Sequence, residues 1–71
     1  MDDDARAALI SRLFGVLTAK FEDGAEVAGR AQRVRHSHET AEAAHRLIDL
    51  AEEATTVAQA TLALSTAQFK S

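Results

Sequence analysis

The sequence predicts an all-α fold: an antiparallel hairpin of two long helices that self-associates into a helical bundle, most simply a dimeric four-helix bundle. Three observations predict it. The chain has sixteen alanines, three glycines and no proline, a composition that favours helix throughout. Apolar residues recur at alternating spacings of three and four in both halves, the period of a helix face. Between the halves, a short segment carries charges suited first to a helix end and then to a helix start.

The first helix opens at Asp2, Asp3 and Asp4, which offer an N-cap and negative charge toward the positive end of the helix dipole. From there Ala7, Ile10, Phe14, Leu17, Phe21, Gly24, Ala28 and Ala31 form one stripe. Gly24 and Gly29 each cost a helix about 1 kcal/mol relative to alanine. Asp23-Gly24, with Glu26 following, is therefore one candidate break, which would give three helices. The other candidate turn is His36-Ser37-His38. Arg30, Arg33, Arg35 and His36 precede it, as suits a helix C-terminus. Ser37 as a cap, then Glu39 and Glu42, follow it, as suits an N-terminus.

Pairing favours the second site. A turn near residue 37 brings Val27 opposite Leu47, Leu17 opposite Val57 and Ile10 opposite Leu64. A turn near residue 24 brings Ile10 opposite His38 and leaves Leu47 to Leu64 without a partner. The expectation is two helices of about 30 residues, each about 45 Å long.

The second helix carries two adjacent stripes. One runs Ala43, Leu47, Leu50, Ala54, Val57, Thr61, Leu64. Its neighbour runs Ala44, Ile48, Ala51, Thr55, Ala58, Leu62, Ser65, Phe69. Two stripes serve two different neighbours. Phe14, Leu17, Phe21, Leu47, Leu50, Val57 and Leu64 are expected to form the seam within the hairpin. Leu13, Val16, Ile48, Leu62 and Phe69 are expected at the oligomer interface. Arg46, Asp49, Glu53 and Thr56 are expected on a solvated face.

Size points the same way. Seventy-one residues make a single helical domain, 1–71. With no cysteine there is no disulfide framework, no thiol nucleophile and no Cys-ligated zinc. Small domains commonly lean on disulfides, metals or oligomers, so assembly is the expected remedy. The acidic Met1-Asp2-Asp3-Asp4 is unlike the start of a signal peptide, and no apolar run reaches the length of a membrane span. A cytoplasmic protein is therefore expected.

Three chemistries are open to the residues around the turn. Residues 28–46 hold four arginines, Arg30, Arg33, Arg35 and Arg46, against Glu39 and Glu42, a formal +2 that leaves −5 for the rest of the chain. That basic end is a candidate nucleic-acid surface, opposed by overall acidity and by the lack of interleaved aromatic residues. His38, Glu42 and His45 lie at i, i+4 and i+7 on one helix face. Glu42-Ala43-Ala44-His45 has the Glu-x-x-His spacing of di-iron bundles, so these three are candidate metal ligands. Ser37-His38-Glu39 resembles the start of the H-box of histidine-kinase dimerisation domains. That resemblance implies phosphorylation of His38 with Glu39 as its acid–base partner. Thr40-Ala41-Glu42-Ala43 stands where the family's arginine, threonine and proline would follow, so three residues name no family.

No phosphate-binding glycine loop or nucleophile elbow is present. The expected function is non-enzymatic, with no cofactor: a small regulatory or scaffold protein that forms homo-oligomers or receives a partner helix. In architecture it is like small plasmid copy-number regulators, which bind RNA on a bundle face.

Overall fold

The computed structural model describes residues 2–66 and is an antiparallel helical hairpin. Helix α1 spans Asp3–Ala31 and helix α2 spans Ser37–Thr66, of 29 and 30 residues. Residues 32–36 join them. The turn thus lies beside the predicted second site: it shares His36 with it, while Ser37 and His38 already belong to α2.

Helix α1 starts where the aspartates place it. The Asp2 carboxylate accepts the Ala5 N–H at 2.7 Å, and Asp3 and Asp4 lie in the first turn. Arg6 pairs with Asp3 at 3.2 Å. The helix runs unbroken through Asp23-Gly24, which corrects the three-helix alternative. The cost of one glycine is small against the packing of a continuous helix, and Gly24 sits close to α2. A Cβ placed on it would lie 3.7 Å from Leu47 Cδ2, ordinary contact distance.

The helix then unwinds through short bonds. Arg33 N–H donates to the Arg30 carbonyl at 3.1 Å and Val34 N–H to that of Ala31 at 3.2 Å. Helix α2 begins one position away from the expected cap. Ser37 is its first residue, and the His36 carbonyl accepts the N–H groups of Glu39 and Thr40, both at 3.1 Å. The Thr40 hydroxyl donates to the Ser37 carbonyl at 2.8 Å. Backbone geometry at His36 therefore opens the helix in the place foreseen for Ser37.

The buried core is short of material. Among the described residues, Leu17, Leu50 and Ala54 are the buried apolar side chains, and Thr61 joins them. The Thr61 hydroxyl costs nothing in desolvation, because it donates to the Val57 carbonyl at 2.8 Å. Leu9, Ile10, Leu13, Val27, Leu47, Val57 and Leu64 are half-buried.

Two residues of the predicted seam lie outside it. Phe14 is 55% exposed and Phe21 66%. The reason is helix geometry: at about 100° per residue, Phe14 (i−3) and Phe21 (i+4) both fall on the same flank of Leu17. Leu13 and Lys20 fall on its other side, so the true seam runs through Leu13, Leu17 and Gly24. Leu13 is correspondingly half-buried rather than free.

The result is elongated. Its radius of gyration is 16.5 Å, against about 11 Å for a compact chain of this length.

Candidate protein interface

The two long sides of the hairpin differ in chemistry. One is a polar edge. Lys20 Nζ donates to Glu53 Oε1 at 2.6 Å, across the two helices. That hydrogen bond, then the Lys20 charge, lowers the Glu53 pKa, with Arg46 adding a smaller effect in the same direction. Glu53, expected on a solvated face, is thus an interhelical partner that sequence reasoning missed. The signal was available: its number and that of Lys20 nearly satisfy the pairing rule that placed Leu17 opposite Val57.

The other side is apolar. Phe21, Gly24, Ala25 and Ala28 of α1, with Leu47, Leu50, Ala51 and Ala54 of α2, line a groove of about 330 Å³, and the Lys20 side chain that reaches Glu53 also borders it. Helix periodicity puts Phe14 on the same flank of α1 as Phe21. It puts Ala44, Ile48, Ala51, Ala58 and Leu62 on the corresponding flank of α2. Ile48 is 52% exposed and Leu62 62%. Ile48 and Ala51 also border a second, shallower hollow, shared with the polar residues Glu52, Thr55 and Thr56. Four of the five large apolar side chains exposed among the described residues therefore share one face. The fifth, Val16, projects from the opposite flank of α1. Phe69 lies outside the described residues.

The groove was not legible as such, because Ala25 belongs to none of the predicted stripes. Its depth comes from absent side chains at Gly24, Ala25 and Ala51, which a search for large apolar residues passes over.

The basic candidates are less concentrated than their numbering suggests. Arg30 is engaged by Glu26 one turn earlier. Arg33 and Arg35 are exposed in the connecting segment. Arg46 lies farther up α2, two turns from Glu53 on the polar edge. His36 and His38 stand with ring centroids 6.1 Å apart, tilted by 33°. His38, Glu42 and His45 are all exposed along α2. Among the described residues no three His, Asp or Glu side chains are gathered as a metal ion requires. Among these residues, too, no helix is long and apolar enough to cross a membrane.

Comparison with protein-family models, with curated proteins and with solved structures found no match to this chain.

The total surface area agrees with the elongation. The chain exposes 5455 Å², whereas a compact monomer of its mass would expose about 4,300 Å². The excess, about 1,200 Å², is polar and apolar surface together and follows from the elongated shape.

Proposed function

We propose that this chain is a small, non-enzymatic assembly protein whose working form is a homodimeric four-helix bundle. The observation that carries the reading is the segregation of Phe14, Phe21, Ile48 and Leu62 onto one face, opposite an edge closed by Lys20 and Glu53. Scattered apolar side chains are ordinary on a protein surface, but a contiguous patch flanking a groove marks an interaction site. A second copy is the occupant best matched to it. The patch holds both bulky side chains and the alanine-lined hollows that receive them, as a two-fold interface between identical surfaces demands. Burying it in a dimer also supplies the core that one hairpin lacks.

Sedimentation equilibrium of the intact chain between about 1 and 100 µM tests the proposal. The expected mass is twice 7.6 kDa. A folded, helical species at the single-chain mass across that range would overturn it. So would a complex in which the chain stays monomeric until a different protein covers this face.

A further inference from the structure

We infer that the two hairpins pair with their connecting segments at opposite ends of the bundle; this rests on the homodimer proposed above. Stacking two copies through the same face allows two two-fold arrangements. In one, the axis runs along the helices and both connecting segments meet at one end. In the other, the axis crosses the helices, α1 lies over the partner's α1 in the reverse direction, and the segments lie at opposite ends. Both set Phe14 and Ile48 over alanines, while Phe21 meets the level of Ala51 when the segments share an end and of Thr18 in the crossed arrangement, so apolar packing does not select the crossed one. Charge separates them.

The connecting end is basic. Residues 28–46 carry a formal +2, and residues 2–14 a formal −1, Asp2, Asp3 and Asp4 against Arg6 and Arg12. Arg33, Arg35, His36 and His38 are all exposed there. The open end begins with Asp2, Asp3 and Asp4, likewise exposed, with Asp3 also bound to Arg6. Segments at the same end would bring two cationic tips together and two aspartate triplets together. The crossed arrangement puts each tip beside the partner's aspartates.

The register set by packing delivers that match. Placing Phe14 over the partner's Ala25, at the alanine groove, puts the two-fold axis near residue 20 of α1. On α2 the same axis brings Leu62 to the level of the partner's Ala44 and Ile48 to that of Ala58. It also carries Ala31, the last residue of α1, to the level of the partner's Ala8, so that the connecting segment of each copy lies near the first turn of the other. A register chosen from apolar residues alone thus aligns the hairpins along their whole length and pairs opposite charges at both ends.

The chain has no cysteine, so single labels report without background. Spin labels are placed at Q32C in the connecting segment and at A5C in the first turn of α1, both exposed positions. Pulsed electron paramagnetic resonance on the dimer then reads the arrangement. The Q32C homodimer is expected to show a separation of roughly 40 Å, from a rise of 1.5 Å per residue. A mixed dimer, Q32C in one copy and A5C in the other, is expected to show a population below roughly 20 Å. A Q32C homodimer with its labels below roughly 20 Å apart would overturn the inference and leave the dimer standing. A single-chain mass would remove the dimer and the inference together. Raising salt from 50 to 500 mM is expected to weaken association severalfold, because the end contacts are exposed. Tighter association in high salt would contradict the assignment of charge as the selector.

Discussion

Replacing Phe21 by serine separates the interface from the hairpin that bears it. Phe21 is 66% exposed in the single chain. A phenylalanine side chain carries roughly 200 Å², so about 130 Å² of Phe21 is left for a partner to cover. At about 25 cal/mol per Å² that area is worth about 3 kcal/mol per copy if wholly buried. Half-burial in both copies gives about 3 kcal/mol per dimer, and complete burial about 6 kcal/mol. Phe21→Ser is therefore expected to raise the dimer Kd by about 10²- to 10⁴-fold. The assay is sedimentation equilibrium paired with circular dichroism, so that lost assembly is distinguished from lost helix. The melting temperature of the native chain should rise with concentration, and that of the variant should be lower at each concentration. Val16→Ser is the control, since Val16 is 42% exposed on the other flank. It should change Kd less than about threefold, within the range of ordinary surface substitutions. Equal effects from the two substitutions, or none from Phe21→Ser, would refute the assignment of the face.

Other consequences concern the hairpin itself. Gly15→Ala and Gly29→Ala should each stabilise it by up to about 1 kcal/mol in urea unfolding, since a Cβ meets nothing within 4 Å at either position. Asp2→Ala removes the side chain that accepts the Ala5 N–H and should cost about 1 kcal/mol, read in the same way. Leu50→Ala should cost about 2–5 kcal/mol, because Leu50 is the most buried leucine, 4% exposed. Glu53 has its pKa lowered by Lys20, so its contribution is present above the ordinary carboxylate pKa of 4.5 and is lost as pH falls through the depressed value. Lys20→Gln should flatten that acid limb of the stability profile. An unchanged pH profile would show that the pair contributes nothing in solution.

How far the sequence revealed this arrangement depends on which physical signal was needed. The turn was legible because two independent signals agreed: arginines before residue 36 with glutamates after it, and apolar partners along the length. The continuity of α1 through Asp23-Gly24 followed from pairing, against the local glycine signal. The placement of Phe14 and Phe21 failed for a different reason. A spacing of three or four residues identifies a stripe about 100° wide but not its centre. Which edge of the stripe meets α2 depends on the neighbour's shape. Here Gly24 lets α2 approach along the side of Leu13 and Leu17, and the two aromatics are left on the flank. Size misled the reading, since the bulkiest residues were assigned to the inner seam. The double stripe of α2 is plainer, because Leu47 and Ile48 are adjacent in sequence and cannot both face α1: Leu47 is half-buried and Ile48 exposed. Helix α1 presents no such pair of full-length stripes, and its alanines and glycines conceal the groove.

The polar edge bears on the kind of assembly as much as the apolar face does. A hairpin apolar on both sides would stack without limit, each added copy leaving another free face. This one gathers Phe14, Phe21, Ile48 and Leu62 on one side, interspersed with Thr18 and Thr55. On the other, Lys20 and Glu53 hold charge across the helix pair, with Arg46 nearby. A further copy docking there would have to desolvate that ion pair and would recover little apolar area, with Val16 the large exposed apolar side chain on that flank of α1. In the proposed dimer, two hairpins joined by their apolar faces would leave polar edges outward on both sides, and growth would stop at the closed pair. On that proposal charge at Lys20 and Glu53 would limit the assembly, and Phe14, Phe21, Ile48 and Leu62 would drive it. Exchanging both charged residues for leucine should lift that limit and yield species larger than a dimer.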